Sequence, residues 1–260
     1  MMSTFQLAIC AEQLWLDKPI EWRASRLKEL GFGVGLWWPS HDMDALKKTG
    51  AHFTIMNGYL PGGSLLNDES IEYLLKSARE VAQLGKRLEV DRLNLHGTGL
   101  SADGKAIEPV ETVTGAMWLK ARDTLCRVAE LGEKEGVTFT LENLNWKVDH
   151  PGVPFARVQD TLALVASVNH PNLRLNLDLY HAQIDEGNLI ETCRACLPFI
   201  GEIQVADVPG RFEPGTGEVN WPGVAQALKA MGYNGPIGME AWAKGDSDVA
   251  AEAFRSAFTV

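Results

Sequence analysis

"GEIQVADVPGRFEPGTGEVNW", residues 201–221, begins as a strand and ends as something else. The apolar run around Ile203 and Val205 carries Gln204 and reaches Asp207. It then opens into a loop with Arg211, Glu213, Glu218, two prolines and three glycines. A short apolar strand that delivers polar groups into an ordered loop is the pattern of a parallel sheet, whose strands end at the ligand-binding face.

Outward from that stretch the same unit recurs. Strands are predicted at "TFQLAIC" (4–10), "GVGLWW" (33–38), "HFTIMN" (52–57), "RLNLH" (92–96), "VTFTLEN" (137–143), "NLRLNLD" (172–178), 201–207 and "PIGMEAW" (236–242). Their length and β-branched or aliphatic content suit strands buried on both faces. Amphipathic segments lie between them. "DKPIEWRASRLKELG" has Pro19 near its start and Gly31 after its end, and "VETVTGAMWLKARDTLCRVAELGEKEG" closes on Lys134 and Gly136, as helix boundaries do. "NDESIEYLLKSAREVAQLGKRL", "VPFARVQDTLALVASV", "NLIETCRACLPFI", "WPGVAQALKAMGYNG" and "DSDVAAEAFRSAF" complete the set. No linker, low-complexity tract or charge block divides the chain. Strict alternation of eight strands with helices over 260 residues predicts one α/β domain spanning 1–260, a closed (β/α)8 TIM barrel. An open doubly wound sheet is the alternative, but no G-x-G-x-x-G follows the first strand.

Composition narrows the function. The chain has 34 acidic and 24 basic residues, a net charge of −10, and no basic stripe for a phosphate backbone or an anionic membrane. No nucleic-acid or membrane partner is expected. "MMSTFQLAIC" lacks a basic region followed by a long apolar core, and no apolar run approaches a membrane span of ~18 residues. A cytoplasmic protein with reduced thiols is expected. Cys193 and Cys196 share a helix face; packing is the simpler reading, with redox or metal use the alternative.

In a barrel, four strand-end residues meet at one mouth: Glu142, Asp178, Gln204 and Glu240, separated by 36, 26 and 36 residues. Three carboxylates and an amide are hard oxygen donors suited to Mg²⁺ or Mn²⁺, and a divalent cation gives the like charges a reason to gather. Two glutamates flanking a bound carbonyl could also carry a proton between adjacent carbons while the metal polarises that carbonyl. Taken singly, each has a plainer reading: Asp178 as a helix N-cap, Gln204 as a structural hydrogen-bonding group. His181 reads as a local hydrogen-bonding residue or a substrate contact. Arg211 reads as an anchor for an anionic substrate or as a salt bridge to Glu213 or Glu218. Asn57 and His96 end earlier strands and are further candidates for the mouth. Trp37, Trp38, Trp146 and Trp242 could wall the pocket or pack its rim. The glycine-rich loops "NGYLPGGSLLND" (57–68) and "HGTGLSADGKAIEP" (96–109) read as lids or as surface.

"ADVPGRFEPGTGEVNWP", with "NLDLYHAQIDEGNL" before it and "GYNGPIGMEAW" after it, resembles the hydroxypyruvate isomerase family of xylose-isomerase-like TIM barrels. The resemblance is densest over residues 137–242. It implies an aldose–ketose-type isomerase that interconverts hydroxypyruvate and tartronate semialdehyde, or a related short keto acid such as 2-oxo-tetronate. It places the metal on Glu142, Asp178, Gln204 and Glu240, the proton-transferring pair on the two glutamates, and substrate contacts on His181 and Arg211. The sequence departs from related sugar epimerases at Gln204, where a His is common, and at Val148, where they carry a substrate-contacting Glu. The strand in "GVGLWWPSHD" also lacks the acidic residue of "GVE"-type members. The alternatives are a ketose 3-epimerase acting on free sugars and a non-catalytic metabolite-binding barrel. A DNA-repair endonuclease of this broad fold would need a multi-zinc His cluster and a basic groove, which six scattered histidines and a charge of −10 do not provide. The sequence leaves the oligomeric state open, a homo-oligomer included.

Overall fold

The structure, a computed structural model, describes residues 5–260; Thr4, the first residue of the first predicted strand, lies outside them. Eight strands pair in parallel with their sequence neighbours, and β1 closes on β8 to complete a barrel. They are β1 (Gln6–Cys10), β2 (Gly33–Leu36), β3 (Phe53–Asn57), β4 (Arg92–Leu95), β5 (Thr138–Glu142), β6 (Leu173–Asp178), β7 (Ile200–Val205) and β8 (Pro236–Met239). The outer helices are α1 (Ile20–Glu29), α2 (Met43–Lys48), α3 (Asp68–Arg87), α4 (Gly115–Glu135), α5 (Val158–Val168), α6 (Leu179–Asp185), α7 (Leu189–Cys196), α8 (Trp221–Ala230) and α9 (Ser247–Ala257). Every predicted strand is present, and the closed-barrel expectation holds.

Two short helices escape a reading by periodicity. Helix α2 has too few turns to show an apolar stripe; its N-cap Asp42 accepts from the Asp44 and Ala45 amides at 2.9 and 3.1 Å. Helix α6 starts directly on Asp178, whose Oδ1 accepts from the Tyr180 and His181 amides at 2.7 and 3.0 Å. The N-cap reading of Asp178 is therefore correct, and its second carboxylate oxygen remains for other work.

Alternation along each strand divides the protein into two cores. One set of side chains, including Leu93, Leu95, Phe139, Leu141, Leu175, Leu177, Ile203 and Val205, is fully buried in the layer shared with the helices. Removing ~150–250 Å² of such aromatic surface from water stabilises by several kcal/mol per ring, and Phe254 of α9, stacked on Phe32 at 5.9 Å, belongs to this layer. The other set, offset by one residue, points into the barrel: Arg92 and Asn94 on β4, Thr140 and Glu142 on β5, Asn176 and Asp178 on β6, Glu202 and Gln204 on β7. Strand pairing sets Asn94 beside Thr140, Glu142 beside Asn176, and Asp178 beside Gln204. Gly238 on β8 leaves room for this set, since a Cβ there would lie 2.8 Å from Glu202 Oε1.

Cys193 and Cys196 are buried in the helix layer of α7. Burial pushes both thiols up to about 12, and neither joins a cluster of metal-ligating groups among the described residues. Packing is their role. Among the described residues, no helix is long and apolar enough to cross a membrane.

Candidate active site

The strand ends surround a cavity of about 420 Å³ at the C-terminal mouth of the barrel. Its lining includes Asn57, His96, Glu142, His181, Gln204, Arg211 and Glu240, which brings seven of the eight sequence-predicted site residues to one space. Asp178 is fully buried just behind the lining, with Oδ2 3.7 Å from His181 Nε2.

Glu142 closes strand β5 and is buried. Asn94 Nδ2 donates to its Oε2, and His96 Nε2 lies 3.0 Å from the same oxygen. Tyr59 holds the far side of the His96 ring, its hydroxyl 2.9 Å from Nδ1 and donating to the Thr98 carbonyl at 3.1 Å. Burial works against the Glu142 charge, but His96, Asn94 and Arg211 outweigh it and hold the carboxyl below its ordinary range. Glu240 follows strand β8. The Trp37 indole N–H donates to its Oε1, and Arg211 Nη2 lies 3.1 Å from its Oε2. Burial raises Glu240 to about 7 against the pull of Arg211. Asp178 is pushed well above its usual range by burial and by the charges of Glu142 and Glu240.

Donor–acceptor matching fixes the state of His181. Asn145 turns its carbonyl oxygen to the Val148 and Asp149 amides at 3.0 and 2.9 Å, so its Nδ2 faces Asp149 Oδ2 and His181 Nδ1, each at 2.7 Å. His181 Nδ1 therefore accepts, and the ring proton sits on Nε2, directed between Glu142 and Asp178 at 3.7 Å from each. Burial, with Arg211 and two neighbouring histidines, pushes the ring well below its ordinary pKa and keeps it neutral. This buried N–H has no hydrogen-bond partner.

The loop after β7 carries Arg211 to the site in a left-handed conformation (φ +58) next to Gly210 (φ +101), after a cis Val208–Pro209 bond. Asp207 holds the loop by accepting from the amides of Val208, Gly215 and Val219 at 3.0, 2.8 and 3.2 Å. Arg211 pairs with Glu240 rather than with Glu213 or Glu218. Glu213 accepts from the Lys244 amide at 2.8 Å, and Glu218 meets Gln183 at 3.2 Å. The guanidinium lies 5.1 Å from the Tyr180 ring and 6.0 Å from the Trp37 ring, and the three carboxylates keep it protonated despite burial.

Trp37, Trp38 and Trp242 wall the cavity, with Trp37 and Trp242 edge-to-face at 5.8 Å. Trp146 does not: its indole N–H donates to the Val153 carbonyl, away from the lining. Both glycine-rich loops reach the mouth through Tyr59 and Pro61 and through Leu100–Lys105. Glu108 ties them together, accepting from Ser64 Oγ at 2.6 Å, Asn67 Nδ2 at 2.8 Å and Ser70 Oγ.

The donor set suits a hard divalent cation. Glu142, Asp178 and His181 bring ligand atoms within 4.8 Å of one another, and two buried carboxylates at that spacing call for positive charge. His181 offers the site a proton rather than a lone pair, so the oxygens are the better ligands. Gln204 Oε1 lines the same space but accepts from Asn176 Nδ2 at 2.8 Å. Sequence reasoning missed Asn94, Asn176, Tyr59 and Trp37's bond to Glu240. The first two were findable, since each stands two residues before a predicted site residue and so shares its face.

The sequence profile of the xylose isomerase-like TIM barrel family matches residues 43–258. A human protein named "Putative hydroxypyruvate isomerase" is 32% identical over 191 residues, 73% of this chain and 65% of that protein. A 2-oxo-tetronate isomerase from Cupriavidus necator is 36% identical over 118 residues, 45% of each chain. The matched stretches thus span less than two thirds of those relatives. Among solved structures, one described as an AP endonuclease, family 2, from Brucella melitensis superposes with a TM-score of 0.83 at 25% identity, covering 96% of this chain and 97% of that one. The relatives' names agree with the expectation of an isomerase-type enzyme. With the profile running from α2 to the end of α9, the chain belongs to the xylose isomerase-like TIM barrel family.

Proposed function

We propose that the protein is an isomerase of short hydroxy-keto acids, with hydroxypyruvate as its first candidate substrate and 2-oxo-tetronate as its close alternative. The observation that carries this reading is one small cavity lined by two buried glutamates from the ends of β5 and β8, a neutral histidine N–H and an arginine. Hydroxypyruvate becomes tartronate semialdehyde when one C3 proton leaves, C2 gains a proton, and the hydroxyl and carbonyl exchange places. Glu142 and Glu240 move that proton: one carboxylate removes it, and the other carboxyl returns it to the adjacent carbon. The His181 N–H donates to the substrate oxygen on which negative charge develops, where a buried donor needs no reorganisation. Arg211 sets the carboxylate in place. Mg²⁺ or Mn²⁺ would be held by Glu142, Asp178, Gln204 and Glu240, and when bound would supply Lewis-acid stabilisation of that charge. The Trp37–Trp242 wall and the two loops exclude water.

The same pair would serve a ketose 3-epimerase, but Val148 brings an apolar side chain to the lining and a charged anchor favours an acid. An endonuclease role, as the Brucella protein is described, suits neither a cavity of this size nor a net charge of −10. A cytoplasmic location and a small-molecule partner complete the proposal. Incubation of the protein with Mn²⁺ and hydroxypyruvate, followed by ¹H NMR, tests it: tartronate semialdehyde should accumulate, and turnover should exceed that of a ketohexose. Binding of hydroxypyruvate by calorimetry with no product would point instead to a metabolite-binding barrel.

A further inference from the structure

The layer of the barrel at and beneath the cavity floor is polar, although the interior layers of such barrels are mostly filled by bulky aliphatic side chains. Asn94, Thr140 and Asn176 are all buried there, and their hydrogen bonds run in one direction. Asn94 Nδ2 donates to Glu142 Oε2. That leaves Asn94 Oδ1 facing inward, where it accepts from Thr140 Oγ1 at 3.0 Å and from Asn176 Nδ2 at 3.1 Å. Asn176 Nδ2 donates a second time, to Gln204 Oε1 at 2.8 Å. Asn94 and Asn176 therefore link Glu142 to Gln204, two residues of the site that come from strands not adjacent in the barrel.

Only one sense of this chain is self-consistent. A carboxylate accepts and cannot donate, so Glu142 requires the nitrogen of Asn94. Turning Asn94 over would set its oxygen against Glu142 and its nitrogen against Asn176. Turning Asn176 over would set its oxygen against two further oxygens. The cost of the arrangement is visible, because Asn176 Oδ1 is buried with no partner. A leucine would fill the same space with no unmatched group of its own, so packing alone does not explain the asparagine. Linking the two site residues does.

We propose that Asn94 and Asn176 are positioning residues: together they form an amide relay that fixes the direction of the Glu142 carboxylate and of the Gln204 side chain relative to each other. Thr140 locks the relay through Asn94. The relay meets the cavity through Asn94, while Thr140 and Asn176 are not among its lining residues. It acts by removing the rotational freedom of a group that moves a proton and of a group offered to the cation or substrate.

The test compares wild type with Asn176→Leu, which keeps volume and removes both donations. Melting temperature, turnover of hydroxypyruvate and a crystal structure are measured for each. The relay predicts a variant that melts within a few degrees of wild type, with kcat at least tenfold lower and KM within about threefold. Its crystal structure should show Gln204 turned away from its wild-type direction. A purely structural role would instead lower the melting temperature and leave kcat of the folded fraction unchanged. Wild-type kcat together with unmoved Glu142 and Gln204 overturns the relay. If Asn176→Leu does not fold, Thr140→Val carries the test, since it removes one donor to Asn94 and almost no volume. A fall in kcat of threefold or more at unchanged melting temperature supports the relay, and no fall overturns it. The kinetic arm rests on the isomerase reading. Wild type inactive on every short hydroxy-keto acid would sink that reading alone, and the crystallographic comparison would still decide the relay.

Discussion

The barrel interior buries carboxylates at both ends, and the two ends treat them differently. At the lower end Glu202, fully buried, meets a cation of its own: Arg92 Nε donates to its Oε2 at 3.0 Å while Nη1 reaches the exposed Asp91 at 3.2 Å, and neither Arg92 nor Glu202 lines the mouth cavity. At the mouth Glu142, Asp178 and Glu240 share a single arginine beside a cavity of about 420 Å³. Burial raises Glu202 and Glu240 alike to about 7, so a displaced pKa does not separate structure from function here. The separating features are the excess of carboxylates over cations and the open space next to them. One pair holds the barrel; the crowded trio has the charge to suit a cation and the space to suit a small ligand.

The largest effect should come from breaking the mouth's pair. Glu142→Gln and Glu240→Gln each keep shape and remove one proton carrier. Turnover of hydroxypyruvate should fall by ~10³-fold or more in both; thermal stability should hold or rise in Glu240→Gln, whose charge burial disfavours, and fall in Glu142→Gln, whose charge His96, Asn94 and Arg211 favour. Wild-type turnover in either variant would end the proton-pair assignment.

How much of this was legible in the sequence follows from what each signal depends on. Strand spacing depends on chain length alone, so Glu142, Gln204 and Glu240 could be put at one mouth before any contact was known. The direction of a side chain within the mouth depends on its neighbours across the barrel. That is why the direction of Arg211, which the sequence leaves open, is set by Glu240 and by the rings of Tyr180 and Trp37. Trp146 failed for the same reason: standing just past a strand end does not say which way an indole turns, and a backbone carbonyl at Val153 decides it. Asn94 and Asn176 were within reach. Inward alternation applies one layer down as well as at the rim, but an Asn inside a strand invites a reading as a tolerated polar residue, and its partners lie on other strands.

At the lower end the expected effect is on stability and depends on pH. Glu202 ionises near 4.5 when exposed and near 7 when folded. Between those values the unfolded chain has lost a proton that the folded chain keeps, so stability should fall as pH rises through the window. The shift corresponds to about 3 kcal/mol at most. Glu240, displaced in the same direction, adds to the slope. Urea denaturation at pH 5 and pH 8 should show Glu202→Gln losing less stability over the interval than wild type, with turnover retained. Equal losses in variant and wild type would mean that the Arg92 pair already meets the full cost of burial.

The comparison also predicts which end responds to metal. Mn²⁺ should raise the melting temperature of wild type, by the equivalent of about 2.7 kcal/mol at a hundred times its dissociation constant. The rise should persist in Glu202→Gln and vanish in Asp178→Asn. Asparagine still caps α6, so loss of the response would report charge rather than helix fraying. A rise that survives Asp178→Asn would move the cation elsewhere.

The smallest effect concerns the loops over the mouth. Glu108 is only half-buried, yet it gathers donors from Ser64, Asn67 and Ser70. Against a modest cost of burial these bonds hold its carboxyl below the usual range. They join the start of α3 to the loop that brings Leu100–Lys105 to the cavity. Glu108→Ala should lower stability by about 1 kcal/mol and leave kcat nearly untouched, because no reacting group moves. Its mark should be faster amide hydrogen exchange over residues 99–107 and a KM a few times higher, the signs of a cover that closes less often. Unchanged exchange in that segment would show that the loop is held by its other contacts, among them His150 Nδ1 on the Gly104 carbonyl at 2.6 Å, and that the mouth, like the lower end, is rigid by construction.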